Sequence, residues 1–214
     1  MQFDIITLFP EMFAGPLTES ILKRAQEKEL ISINFHQLRN WGIGPHKQVD
    51  DTIYGGGVGM LLRPDVVIPA ITEVKKVKKL KQKVILMTPQ GRTFNQEMAE
   101  DLAKNDRLII VCGHYAGFDE RIRQFVDLEV SIGDYVLTGG EVPAMVIIDA
   151  ISRQIPAVVG RAGNEDESFS KSLDRKLEYP QYTKPEIYKK LKVPDVLLSG
   201  DHAKIENWKR EQLR

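Results

Sequence analysis

Three stretches of the chain place glycines among polar and aromatic residues directly after short apolar runs. They are "MTPQGR" (Met87 to Arg92), "CGHYAGFDER" (Cys112 to Arg121) and "SIGDYVLTGGE" (Ser131 to Glu141). Glycine lets a backbone approach a ligand closely or take positive φ, so such loops can hold a planar heterocycle such as adenine by main-chain N–H and C=O groups. No charged side chain is needed for that task. A phosphate loop would carry a lysine after its glycines, whereas "TGGE" carries Glu141, whose charge repels phosphate. A dinucleotide fingerprint would follow an early strand, and the early cluster "YGGGVGM" (Tyr54 to Met60) follows no strand of that kind. Spacing alone leaves open the alternative that these glycines only turn the chain.

The other reactive groups, taken singly, carry less. Cys112 sits in the apolar run "RLIIVCG" and reads as a buried, inert thiol; as the single cysteine it excludes an internal disulfide. Asp166 and Glu167, in "NEDESF", read on their own as part of a solvated acidic segment. Arg153 follows a long apolar run and reads as a cation at a helix carboxyl end.

The elements that must position these loops alternate between two periods. Phe3 to Leu8 is a β-branched apolar run broken by Pro10, Leu17 to Lys28 has helical spacing, and "LISINF" alternates as a strand. Pro64 to Leu80 is again helical, with Val66, Val67, Ala70, Ile71, Val74 and Val77 on one face and a lysine-rich tail from Lys75 to Lys81. The strand "KVILMT", a helix from Asn95 to Lys104 capped by Asn95, the strand "RLIIVCG", a short helix from Asp119 to Phe125 and the strand "LEVSIG" follow. This predicts an α/β fold with a mainly parallel sheet, helices on both faces, and a ligand site beyond the carboxyl ends of the strands, where the three glycine loops meet. After Ala157 the texture turns polar, which predicts a linker and a small helical tail.

With 214 residues and 42% hydrophobic content, the chain has ample material for one large domain and a small appendix. Lys plus Arg and Asp plus Glu balance at 30 each, so any nucleic-acid contact must come from local clustering. The amino end lacks a basic region followed by a long apolar segment, and no apolar run approaches the ~20 residues of a membrane span. A cytoplasmic protein with no membrane contact is the expectation.

Read in order, "LFPEMF", "DDTIYGGGVGMLLRPD", "TPQGRTFNQ", "VCGHYAGFDERI", "SIGDYVLTGGEVPAMVIIDAISRQIPAVVG" and "PQYTKPE...VPDVLLSGDHAKIENWK" resemble the bacterial tRNA (guanine-N1)-methyltransferases of the SPOUT superfamily. The resemblance covers most of the chain. It implies a carboxyl-terminal trefoil knot in the sheet, a feature no periodicity could reveal. It also implies a methyltransferase domain over 1–160, a flexible linker over 161–178 and a short helical tRNA-binding domain over 179–214. The implied methyl donor is S-adenosyl-L-methionine, held by Leu86, Met87, Thr88 and Pro89, by Gly113, Tyr115 and Gly117, and by Ser131, Ile132, Gly133, Asp134, Tyr135, Val136, Leu137, Gly139, Gly140 and Pro143. Main-chain groups around Ile132, Tyr135 and Leu137 would grip the adenine, and a branched side chain at Gly113 or Gly140 would fill the adenine's space. No metal ligands are implied, and a dependence on Mg2+ stays open.

The implied reaction is methylation of N1 of the guanosine 3′ of the anticodon, position 37 of tRNA, which supports reading-frame maintenance. The family places an aspartate directly before a Ser-Phe pair as the base; here Glu167 holds that position with Asp166 beside it, so the base is one of the two. Arg153 matches the arginine that steadies negative charge developing on the guanine oxygen. His114 and Ala116 stand where the family often has arginine and glutamate, the segment "SKSLDRKLEYP" is longer than usual, and the tail is shorter. The implied partners are tRNA and a second copy of the chain, in a homodimer whose subunits share each active site, with no DNA. Candidate RNA contacts are Arg161, Lys171, Arg175, Lys184, Lys189, Lys190, Lys204, Lys209, His46 and Lys47. A different SPOUT-type RNA methyltransferase and a non-catalytic RNA-binding module are the alternatives.

Overall fold

The computed structural model describes residues 1–76, 79–160 and 166–214, and the chain divides into two compact units, Met1–Val159 and Gly160–Arg214. In chain order the first unit contains β1 (Gln2–Thr7), α1 (Ser20–Glu27), β2 (Ser32–Gln37), β3 (Asp50–Thr52), β4 (Met60–Leu62) and α2 (Pro64–Val74). These are followed by β5 (Gln82–Thr93), α3 (Gln96–Leu102), β6 (Arg107–Val111), β7 (Leu128–Ser131) and α4 (Glu141–Ser152). β2, β1, β6, β5 and β7 form one sheet in that order, and every neighbouring pair is parallel.

Alternation along the strands decides which layer each residue enters. Phe3, Ile5, Ile85, Met87, Leu108 and Ile110 pack with Leu22, Ala25, Met98, Leu102, Ala144, Ile147, Ile148 and Ile151 from α1, α3 and α4. Ile6, Val84, Leu86, Ile109 and Val111 pack on the other face with Val66, Val67, Ala70, Ile71 and Val74 of α2. Helices therefore cover both faces, which is why the central strands read as unbroken apolar runs rather than as alternating ones. β6 is buried along its whole length.

The helices are shorter than the periodicity predicts. α1 starts at Ser20 rather than Leu17, after a turn containing Gly15 at φ +89°. α2 stops at Val74, where the like-charged lysine tail begins; Val77 lies outside the described residues. Asn95 caps α3 as expected, its side chain accepting a hydrogen bond from the Met98 amide at 2.9 Å. The expected helix from Asp119 is a 3-10 turn over Glu120–Phe125, with Asp119 accepting from the Arg121 amide.

Two larger differences lie in the loops. "YGGGVGM" is the connection of a small antiparallel hairpin, β3–β4, so the cluster does follow a strand, though not one that leads into a helix. β5 continues through Thr93: it pairs with β7 at Met87↔Val130 and again at Arg92↔Val130, looping out between. Gly91 makes this doubling feasible, because any Cβ there would collide with the Val130 amide and Glu129 carbonyl carbon.

The second unit has its own short elements: β8 (Ile187–Tyr188) and β9 (Leu191–Lys192) as an antiparallel hairpin, α5 (Asp195–Leu198) and α6 (His202–Glu211). Lys189 and Lys190 form the hairpin tip with φ of +47° and +70°, the left-handed pair that a two-residue hairpin turn requires. Asp201 caps α6 by accepting from the Lys204 amide.

One buried ionic group ties the main sheet together. Asp4 of β1 accepts from the Arg107 Nε of β6 at 2.6 Å and meets His36 Nε2 of β2 at 2.6 Å, while Arg107 Nη1 donates to the Val74 carbonyl at 2.8 Å. Burial by itself would raise the Asp4 carboxyl, but the hydrogen bonds from His36 and Arg107 outweigh it and hold the group at about 2, below its usual 3.8. The folded value lies below the unfolded one, so a contribution of about 2 kcal/mol is present above pH 3.8 and is lost as pH falls toward about 2. Asp4→Asn should strand a buried guanidinium without its counter-charge and cost about 3–5 kcal/mol in urea denaturation at neutral pH. The variant should also lack this part of the acid-unfolding profile; an unchanged urea midpoint would refute the assignment.

Candidate functional site

The loop-out of β5 and the carboxyl ends of β6 and β7 converge on one cavity. Its walls are Met87, Thr88 and Pro89 where β5 loops out, Gly113 through Phe118 after β6, Val130 through Gly133 at the end of β7, Tyr135 through Gly140 in the loop that follows, and Pro143 of α4. All three glycine loops thus meet at one place, as the alternating elements predict. Of the residues expected to hold the donor, Leu86 and Asp134 are not in these walls. Leu86 is buried in the core on the α2 face, because the alternation that sends Met87 toward the cavity sends its neighbour the other way.

The glycines act differently from the expectation that they leave room for a ligand. A Cβ on Gly140 would run into the Gly113 amide and the Cys112 backbone, and one on Gly113 would strike the Phe118 ring. A Cβ on Gly133 would strike the Tyr135 ring, and one on Gly139 would strike His114 and Glu141. The space is filled by the protein itself. At Gly117 the backbone takes φ +114° with nothing close, so there the requirement is conformational. Glycine therefore lets the walls close on one another, and the walls then shape the cavity.

Two kinds of bond join the β6 loop to the start of α4. The Gly140 amide donates to the Gly113 carbonyl at 2.8 Å. His114 Nε2 lies 2.8 Å from Glu141 Oε2, and the other carboxylate oxygen accepts from the Thr7 hydroxyl at 2.6 Å. Glu141 is 0% exposed, so the carboxylate read from sequence as a phosphate repeller is an internal hydrogen-bonding group. Sequence reasoning missed Glu141 and Thr7 as parts of this wall, since they lie 134 residues apart and no local pattern pairs them. Burial, with the nearby Glu141 charge, pushes the Cys112 thiol well up, as expected for an inert cysteine.

The cavity faces are apolar rings and main chain: Tyr115, Tyr135, Val136 and Leu137 are exposed at its rim. Tyr115 holds φ +60°, an uncommon conformation for a side chain of its size, and its ring lies 6.3 Å from that of His114. The Ser131 hydroxyl bonds within the Ser131–Gly133 turn, and the Ser131 carbonyl accepts from the Phe94 amide, so the β7 loop is held from inside. Such walls fit a flat, weakly charged group held by backbone. Among the described residues no group of three or more His, Cys, Asp or Glu side chains could hold a metal ion.

The β3–β4 hairpin also touches this site. The Ala116 amide donates to the Met60 carbonyl at 2.9 Å and the Leu62 amide to the Gly117 carbonyl at 2.9 Å. Arg153 is the carboxyl cap of α4 in the first unit, while Asp166 and Glu167 belong to the second, where the Ser170 amide donates to the Glu167 carbonyl at 2.9 Å. Of the candidate RNA contacts, Lys171, Lys184, Lys189, Lys190, His46 and Lys47 are exposed, Arg175 is half-buried and Arg161 lies outside the described residues. Lys204 and Lys209 are paired with Asp201 and Glu206, which reduces the charge they present.

A parallel α/β sheet ending in a backbone-lined cavity for a flat ligand defines an enzyme-like class but no single activity. The family described as tRNA (Guanine-1)-methyltransferase TrmD matches this chain over residues 1–214. The chain is 52% identical to the tRNA (guanine-N(1)-)-methyltransferase of Citrifermentans bemidjiense over 100% of its own length and 86% of the relative's. It is 53% identical to the protein of that name from Staphylococcus haemolyticus over 99% of this chain and 85% of the other, and 50% identical to one from Dehalococcoides mccartyi over the same shares. The chain belongs to the tRNA (guanine-1)-methyltransferase family and is an enzyme of that type.

The packing around the glycines gives a direct test. Gly140→Ala should force the Gly113–Cys112 backbone apart and lower stability by about 1–3 kcal/mol in chemical denaturation. A variant as stable as the parent would show that the α4 start and the β6 loop are not in contact as described.

Proposed function

We propose that this chain transfers a methyl group from S-adenosyl-L-methionine to N1 of the guanosine immediately 3′ of the anticodon, position 37 of tRNA, and so supports reading-frame maintenance. The single observation that carries the reading is the convergence of the three glycine loops on one backbone-lined cavity in a chain of this family. Main-chain groups around Ile132, Tyr135 and Leu137, with the apolar sides of Met87 and Pro143, would hold the adenosyl part. When bound, the donor supplies an electrophilic methyl group. We further read the return of the chain from β7 to α4 as the trefoil knot of the family.

The chain's own side chains do the proton work. Guanine N1 bears a proton, and a carboxylate at Asp166 or Glu167 removes it so that the nitrogen lone pair becomes nucleophilic. Arg153 stabilises the negative charge that gathers on the guanine oxygen, a role suited to a permanently charged fork. The second unit serves as the tRNA-binding domain, with Lys184, Lys189 and Lys190 as exposed phosphate contacts. Working in a homodimer, each site takes residues from both chains; Val142 and Val146, exposed on α4, with exposed Met12 of the Pro10–Phe13 turn that packs against this helix, form the apolar face available for pairing.

The test is mass-spectrometric mapping of methylated guanosine in tRNA incubated with the protein and donor, with and without a chelator to settle the role of Mg2+. Methylation at position 37 is expected; methylation of ribose or of another base would replace this reading with that of a different RNA methyltransferase. One of Asp166→Ala and Glu167→Ala should lower turnover by ~10²–10⁴-fold with donor affinity intact, and the other should be mild. Full activity in the double variant would overturn the carboxylate-base mechanism. Mixing chains bearing Gly113→Val with chains bearing Arg153→Ala should restore activity in mixed dimers, and no recovery in confirmed mixed dimers would mean that each site is contained in one chain.

A further inference from the structure

We infer that His114 is a positioning residue for the methyl-donor cavity, acting through Glu141 and Thr7 to fix the separation of two of its walls; this rests on the cavity being the donor site. His114 is part of the β6 loop that forms one wall, and Glu141 opens α4 directly after Gly139 and Gly140 of the facing wall. The imidazole and the carboxylate meet at 2.8 Å across that junction. A bond between walls sets a width only if its far end is anchored. Glu141 is anchored: it is 0% exposed and its second oxygen accepts from Thr7 at 2.6 Å, while the Thr7 hydroxyl oxygen accepts from the Phe9 amide at 2.9 Å. The chain of contacts thus runs from the carboxyl end of β1, through α4, to the β6 loop.

The ring is confined on its other sides as well. Phe9 meets it edge-on with centroids 4.7 Å apart, and Tyr115 lies next to it at the cavity rim. Gly139 has no side chain because His114 and Glu141 occupy the position where one would go. This pair by itself requires the first glycine of "TGGE". Among the described residues no lysine or arginine forms an ion pair with Glu141, so His114 is the polar group from the β6 loop that satisfies it. Without that partner one oxygen of the buried carboxylate would be left unsatisfied, with Thr7 still on the other, and the loop carrying Tyr115 would lose its side-chain tether to α4.

Three variants separate positioning from plain stability, with calorimetric titration of S-adenosyl-L-methionine and of S-adenosylhomocysteine as the readout. His114→Phe keeps a ring against Phe9 but removes the donor to Glu141, and donor dissociation constants should rise roughly tenfold or more. His114→Gln places an amide N–H near the position of Nε2 and should return the affinity to within about threefold of the parent. The pair of changes His114→Phe and Glu141→Met removes the unpaired carboxylate, so thermal stability should recover while donor affinity stays weakened. In turnover assays the loss should appear in KM for the donor, with kcat at saturating donor largely retained. Parent-like affinity in the double variant, or no rescue by His114→Gln, would overturn the inference. Absence of donor binding by the unaltered chain would instead overturn the proposed function and this inference with it.

Discussion

The cavity rests on one main-chain contact that only glycine allows. The Gly140 amide reaches the Gly113 carbonyl at 2.8 Å, an approach in which any Cβ on Gly140 would run into the Gly113 amide and the Cys112 backbone. That bond brings the start of α4 back behind β6 after the chain has passed through β7 on the far side of β5. The remaining details depend on it. Glu141 can be buried because the helix begins there, Ala144, Ile147 and Ile148 can join the core because the helix then runs along the sheet, and the three loops share a cavity because their strands are neighbours.

Much of this architecture was legible in the residues. Apolar runs such as "RLIIVCG" identified the central strands because both faces of the sheet are covered, and the strand-end glycines located the cavity through the rule for parallel sheets. Asn95 declared its helix start through local chemistry, which sequence carries directly. The reason for each glycine was not legible. Gly133, Gly139 and Gly140 are excluded from bearing side chains by atoms brought near only on folding, and such contacts leave no periodic trace.

The doubling of β5 against β7 was hidden for a similar reason. "MTPQGR" has the composition of a loop, with Pro89 and Gly91, and it does loop out; yet Arg92 and Thr93 return to pair with Val130 and Ser131. Propensity describes each residue's local preference, whereas this return is imposed by the neighbouring strand. Leu86 and Asp134 likewise carry family-like context but sit outside the cavity walls, and for Leu86 the side-chain alternation of a strand is sufficient cause. Asp4 offered no signal at all: one acidic residue within "FDIIT" becomes an internal anchor because Arg107 arrives beside it.

The sheet order also governs when the protein can assemble as it leaves the ribosome. β1 precedes both of its partners in the chain, but its second partner is β6, and Asp4 waits for an arginine 103 positions later. Until then β1 has only β2 beside it, with its other edge unpaired and its acidic side chain without its principal cation. Contacts of such long sequence separation slow folding, since loop closure must precede the interactions that reward it. Until β6 has been made, β1 thus presents an unpaired apolar edge, and its protection during synthesis is a requirement written into the strand order itself.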